Sequence, residues 1–155
     1  MGQVVGTPLG TTVGEAVGLE LADFNMEDNI PHVHVRRNKT RTLKTTHSER
    51  MIPLLGVSLE AGRAIVAQGG WGKWLGKNMY ATSQINKFFR EEKLVTDPNQ
   101  SLYSLRHWFQ DQLTKHDVID RAQAQLMGHK FQRPKYGLGK DLEELSAIIE
   151  KFAIR

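Results

Sequence analysis

The sequence predicts a mainly α domain carrying one small three-stranded antiparallel sheet, an α+β chain of 155 residues. Three observations predict it. Period-two alternation is confined to residues 32–54, apolar residues recur at helical spacing after residue 58, and Gly, Pro and Asn clusters punctuate both regions. The length suits a single domain and is enough for a real core.

Residues 1–10 are Gly-rich and apolar, with Pro8, and read as the start of a trimmed domain. Residues 11–18 form a short helix with Val13, Ala16 and Val17 inward and Gly18 as its stop. Residues 25–31 turn. His32-Val33-His34-Val35-Arg36 alternates as a strand, residues 38–41 can turn, and residues 42–45 and 50–54 supply two more strands. Residues 58–68 are the first longer helix, closed by Gly69-Gly70. An aromatic, basic linker (71–80) leads to a helix capped by Thr82 or Ser83, running to about Lys93 and burying Ile85, Phe88 and Phe89. Leu102, Leu105, Phe109 and Leu113 make one apolar stripe on the next helix. Asp117 is the expected N-cap of a following helix that buries Ile119, Ala122 and Leu126, and Gly128 suits the left-handed position that ends it. A last amphipathic helix covers residues 141–152.

Composition narrows the function. No cysteine is present, which excludes disulfides and thiolate chemistry, and no apolar run approaches the length of a membrane span. The net charge of +4 is unevenly placed. Residues 1–35 hold no Lys or Arg, whereas Arg36, Arg37, Lys39, Arg41, Lys44 and Arg50 follow against the single acid Glu49. Such a cluster is the footprint of a polyanion partner; a solvated hairpin edge is the alternative. His32 and His34 alternate on a strand, but no further metal ligands follow at a recognisable spacing, so no metal is expected. The glycines of residues 2–18 lack the Gly-Lys-Ser/Thr ending of a phosphate loop.

Three chemically capable groups, Arg106, His129 and Tyr136, fall at the junctions of a helix–turn–helix–loop. A guanidinium fork suits a phosphate, an imidazole at a helix end can hydrogen-bond one, and a phenol in a Pro/Gly-flanked loop can act as an oxygen nucleophile. Each residue alone has an ordinary structural reading. Their order carries the argument.

Tyr103-Ser104-Leu105-Arg106-His107, Leu126-Met127-Gly128-His129 and Arg133-Pro134-Lys135-Tyr136-Gly137 resemble, in sequence order, the C-terminal signature of the tyrosine recombinases, the phage integrase family. The stretch from Leu43 to Leu54, Leu43-Lys44-Thr45-Thr46-His47-Ser48-Glu49-Arg50-Met51-Ile52-Pro53-Leu54, is similar to that family's Lys-Thr-x-x-Ser-x-Arg-x-Val-Pro-Leu element. Gly10-Thr11-Thr12-Val13-Gly14-Glu15 looks like its Gly-x-Arg-x-x-Glu helix. The resemblance spans about residue 9 to the end and implies the catalytic-domain fold of DNA breaking-rejoining enzymes, without the N-terminal DNA-binding domains such proteins carry.

The resemblance also implies roles. Tyr136 would attack a DNA phosphorus to give a 3′-phosphotyrosyl link. Arg106, His129 and Tyr103 would hold the phosphate, and Lys44 would protonate the leaving 5′-oxygen. No cofactor is required. Arg36, Arg37, Lys39, Arg41, Lys73 and Lys77 would lie along the backbone of double-stranded DNA, and the full-length protein would act as a tetramer on paired sites. A bacterial or phage-encoded cytoplasmic protein, nucleoid-associated when bound, follows from the same likeness.

Two positions depart from the pattern. Tyr103 stands where the family most often has His, and a phenol still donates to phosphate. Thr12 stands where the family has its first catalytic Arg, so the chain is expected to be a weakened enzyme unless Arg36 or Arg37 reaches in. The rival reading is a DNA-binding module without chemistry, using residues 117–127 as a reading helix; a metal-dependent nuclease is disfavoured by the lack of a carboxylate cluster.

Overall fold

The computed structural model describes residues 10–43, 45–132 and 137–155, with only the backbone at His47. Lys44 and Tyr136, two of the expected site residues, therefore lie outside the described residues, as does the Arg133-Pro134-Lys135 stretch.

Helix α1 (Val13–Val17) starts from a capping box: Thr12 Oγ1 accepts from the Glu15 amide at 3.2 Å, and Glu15 Oε2 accepts from the Thr12 amide at 2.8 Å. This reciprocal pair satisfies two amides that the first turn leaves open, which lets so short a helix hold its shape. The sheet follows, with β1 (Phe24–Asn25), β2 (His32–Val35) and β3 (Arg50–Pro53) in that order and both pairings antiparallel. Val33 faces Ile52, and Val35 faces Arg50.

The sheet is three-stranded and antiparallel as expected, but its third strand is β1 rather than residues 42–45. Both edges of β2 are taken, by β1 and β3, and the described part of 42–45 forms no strand. The Asn38 amide donates to Arg41 O, and Arg41 turns inward to donate to Glu15 O at 2.8 Å and to Arg36 O. An Arg turned into the protein ends the alternation that a strand there requires.

Helices complete the body: α2 (Val57–Ala67), α3 (Asn78–Glu91), α4 (Ser104–Lys115), α5 (Asp120–Met127) and α6 (Leu142–Glu150). Helix α6 and the end of α5 pack on β3, and α1 packs on α3. The core joins Val33, Val35 and Ile52 of the sheet to Phe109 and Leu113 of α4, Leu126 of α5 and Leu145 of α6. Asp141 opens α6 with a capping box to Glu144.

Two helix starts differ from expectation. Helix α3 begins at Asn78, before Thr82, and of its residues only Ala81 is buried; Ile85 and Phe89 are half-buried and Phe88 is exposed. Its apolar face meets the short α1, which is too small to cover it. Asp117 is not an N-cap. It takes a left-handed conformation (φ 53°) that closes α4, with its amide donating to Thr114 O and that of Val118 donating to Leu113 O. Ile119 then precedes α5 and stays exposed, outside the stripe made by Ala122 and Leu126.

Candidate functional site

Arg106 sits on α4 four residues after Leu102 and three before Phe109, both buried, so helical geometry carries its side chain inward with them. It is 9% exposed. Its Nη2 donates to Met127 O at 2.8 Å and to His129 Nε2 at 3.1 Å. Among the described residues, its Nη1 is buried and has no hydrogen-bond partner. A buried guanidinium nitrogen left unpaired costs about 1–3 kcal/mol or more, so this atom marks a place where an anion would be welcome.

His129 meets Arg106 because Gly128 ends α5 in the left-handed conformation (φ 70°), the turn that only glycine adopts readily. Arginine has no acceptor, so His129 Nε2 must be the acceptor in that bond and the ring's proton sits on Nδ1. Burial, reinforced by the charges of Arg106 and Arg50, holds the His129 pKa below the usual histidine range despite the opposing Glu15. The ring is thus neutral at neutral pH and offers Nδ1–H as a donor. Protonating Nε2 would set two donors against each other.

Glu15 and Arg50 lie behind this pair. Arg50, 6% exposed, sends Nη1 and Nη2 to the two Glu15 carboxylate oxygens at 3.0 Å each, Nε to Leu126 O at 2.9 Å and Nη1 to Ser48 O at 2.8 Å. Burial pushes the Glu15 carboxyl up, but the Arg50 fork, the Thr12 amide and the more distant Arg106 outweigh it, and its pKa falls below the ordinary carboxylate value. Burial lowers the Arg106 pKa, with Glu15 opposing it; the guanidinium stays charged throughout the physiological range.

The remaining expected residues fall into three groups. Tyr103, one turn before Arg106, is 53% exposed and packs edge-on against His107 with ring centroids 4.8 Å apart. Thr12 spends its hydroxyl on the α1 cap. Among the basic residues, Arg37, Lys39, Lys73 and Lys77 are exposed. Arg41 is not: it is buried against α1, and burial lowers its pKa. A backbone-contacting role does not fit that position. Arg36 is half-committed, donating Nε to the buried Asp23 carboxylate at 2.7 Å and Nη2 to Ala22 O. Of the two arginines that could reach in for position 12, Arg36 is thus held by Asp23 and Ala22 O, and Arg37 is exposed.

Arg50 is the site residue that sequence reasoning missed. The signal was present: alternation along β3 puts Arg50 on the same face as buried Ile52, and a buried arginine needs a carboxylate nearby. His32 and His34 point to separate partners, Ile30 O and the Glu49 carboxylate, and no group of three or more His, Asp or Glu among the described residues could hold a metal ion. On helix α5, Arg121, its single basic residue, donates to Gly137 O at 2.6 Å. No described helix is long and apolar enough to cross a membrane.

No family model matches the sequence, and no curated protein matches it. Among solved structures, the chain is similar to the Tn1549 transposon integrase in complex with transposon right end DNA, with a TM-score of 0.55 and 15% identity. The likeness covers 96% of this chain and 52% of that one, so this chain spans about half the length of its neighbour. At that identity the likeness is one of fold. The mainly α architecture with its small antiparallel sheet is the fold this chain shares with that part of the integrase structure.

Proposed function

We propose that this chain is the catalytic domain of a tyrosine-type, phage-like integrase that cuts and rejoins double-stranded DNA at specific sites. The observation that carries the reading is the buried Nη1 of Arg106, unpaired among the described residues, beside a neutral His129, a pair with donors to spare for a phosphate. The neighbouring integrase fold, whose structure was solved with DNA, supports the same reading. In this mechanism Tyr136 loses its proton to solvent and its oxygen bonds to phosphorus as the bond to the 5′-oxygen breaks. Lys44 gives that oxygen its proton. Arg106, His129 and Tyr103 hold the non-bridging oxygens, and the phosphotyrosyl bond keeps the energy needed for rejoining, so no cofactor enters. Arg37, Lys39, Lys73 and Lys77 hold the DNA backbone, and the full-length protein works as a tetramer on paired sites.

The test is a nicked suicide duplex incubated with the protein and resolved on a denaturing gel. A covalent adduct forms slowly and is unaffected by EDTA; failure to form any adduct at high protein would leave the DNA-binding module as the surviving reading.

Position 12 gives a second expected result. Thr12→Arg raises adduct yield by supplying a second cation near the phosphate. It also removes the α1 cap, which costs about 0.5–2 kcal/mol, so the unfolding midpoint falls while activity rises. An unchanged yield would remove position 12 from the site. For the leaving group, Lys44→Ala slows cleavage of ordinary DNA yet leaves near-normal cleavage of a substrate whose leaving oxygen is replaced by sulfur, which needs no acid. Equal loss on both substrates would refute the general-acid role.

A further inference from the structure

We infer that Arg50 is a positioning residue, one that bolts the end of α5 to the start of α1 and so sets the His129 ring against Arg106. The inference rests on the function proposed above and adds a residue to that site. Arg50 spans three pieces of chain distant in sequence: the Glu15 carboxylate on α1, Ser48 O before β3, and Leu126 O in the last turn of α5. Leu126 is one residue from Met127, whose carbonyl Arg106 holds, and three from His129. The two arginines therefore grip successive carbonyls at the same helix end.

The packing leaves no slack. A methyl group added at Gly128 would come 2.5 Å from Arg50 Nη1 and 2.8 Å from its Cζ, so the guanidinium lies directly against the turn that delivers His129. Glycine is needed there for its backbone conformation and for this approach alike. Arg50 is committed to the protein rather than to a phosphate: its Nε, both N–H groups of Nη1 and one of Nη2 go to Leu126 O, Ser48 O and the Glu15 carboxylate. Its effect runs through His129 and Arg106. A lysine retains the charge but cannot fork to Glu15 while also reaching the α5 carbonyl.

The experiment compares the parent protein with Arg50→Lys. Two readouts are taken below the unfolding transition: single-turnover adduct formation on the suicide duplex at saturating protein, and the nitrogen resonances of the His129 ring. In Arg50→Lys, adduct formation slows by about tenfold or more, as expected for a misplaced reacting group, while the concentration for half-saturation of DNA changes less than about twofold. The ring, a single Nδ1–H tautomer in the parent, becomes a mixture. An unchanged ring spectrum, or an unchanged rate, overturns the inference. Should Arg50→Lys fail to fold, Glu15→Gln loosens the fork that holds the same guanidinium and must give the same tautomer loss. Because the ring spectrum requires no chemistry, it judges Arg50 even if the parent forms no adduct and the recombinase reading itself fails.

Discussion

Tyr136→Phe abolishes the covalent adduct and leaves DNA binding within about twofold of the parent. The substitution removes one oxygen and keeps the ring, so any packing that Tyr136 provides survives while the atom that bonds to phosphorus is gone. No general-base or binding effect can replace a missing nucleophile; the loss is expected to exceed about 10³-fold and to reach the limit of a gel assay. The control that makes this informative is Tyr103. It is exposed, one helical turn from Arg106, and therefore the described phenol best placed to attack in its stead. An adduct that persists in Tyr136→Phe and disappears in Tyr103→Phe would move the nucleophile to the residue that precedes α4 and undo the role given to Tyr136.

How much of this was legible in the sequence depends on whether the deciding interaction is local. The Thr12–Glu15 box, the Asp141–Glu144 box and the left-handed Gly128 are set within four residues of chain, and Gly128 and the two helices were read correctly. Pairings between distant segments were less readable. Residues 42–45 have strand character, but the edge they would use belongs to β3 and β1, a competition that no local pattern reveals. Asp117 looked like a cap for the helix after it and serves the one before it, because the closing bonds to Leu113 and Thr114 settle the matter. At the site, the family likeness picked out Arg106 and His129, and the two are in direct contact. The charge cluster was read as one basic surface. Folding divides it, leaving Arg37 and Lys39 exposed while Glu15 claims Arg50 and the α1 backbone claims Arg41. Counting charges cannot separate these fates; asking which of them fall on a buried face can.

Arg106→Met tests whether the buried guanidinium is kept for chemistry or for the fold. If it serves the fold, removing it breaks a buried charged network, and such losses run to about 3–5 kcal/mol. The geometry argues otherwise. Glu15 remains doubly held by Arg50, so no carboxylate is stranded, and the substitution also removes the orphaned Nη1. What is lost is one donor to Met127 O and one to His129. A methionine of similar length refills the space beside Leu102 and Phe109, and burying an apolar chain in place of a cation can be neutral or stabilising. The expected result is a thermal unfolding midpoint equal to or above that of the parent. Adduct formation falls by about 10²–10³-fold or more, the scale for deleting a donor aimed at developing charge. Arg106→Lys recovers little activity, since a single ammonium cannot hold Met127 O, His129 and a phosphate together. A midpoint lowered in proportion to the activity loss would assign Arg106 to the scaffold and take the phosphate site with it. Stability gained where activity is lost is what a cation held unpaired for a transient anion should give.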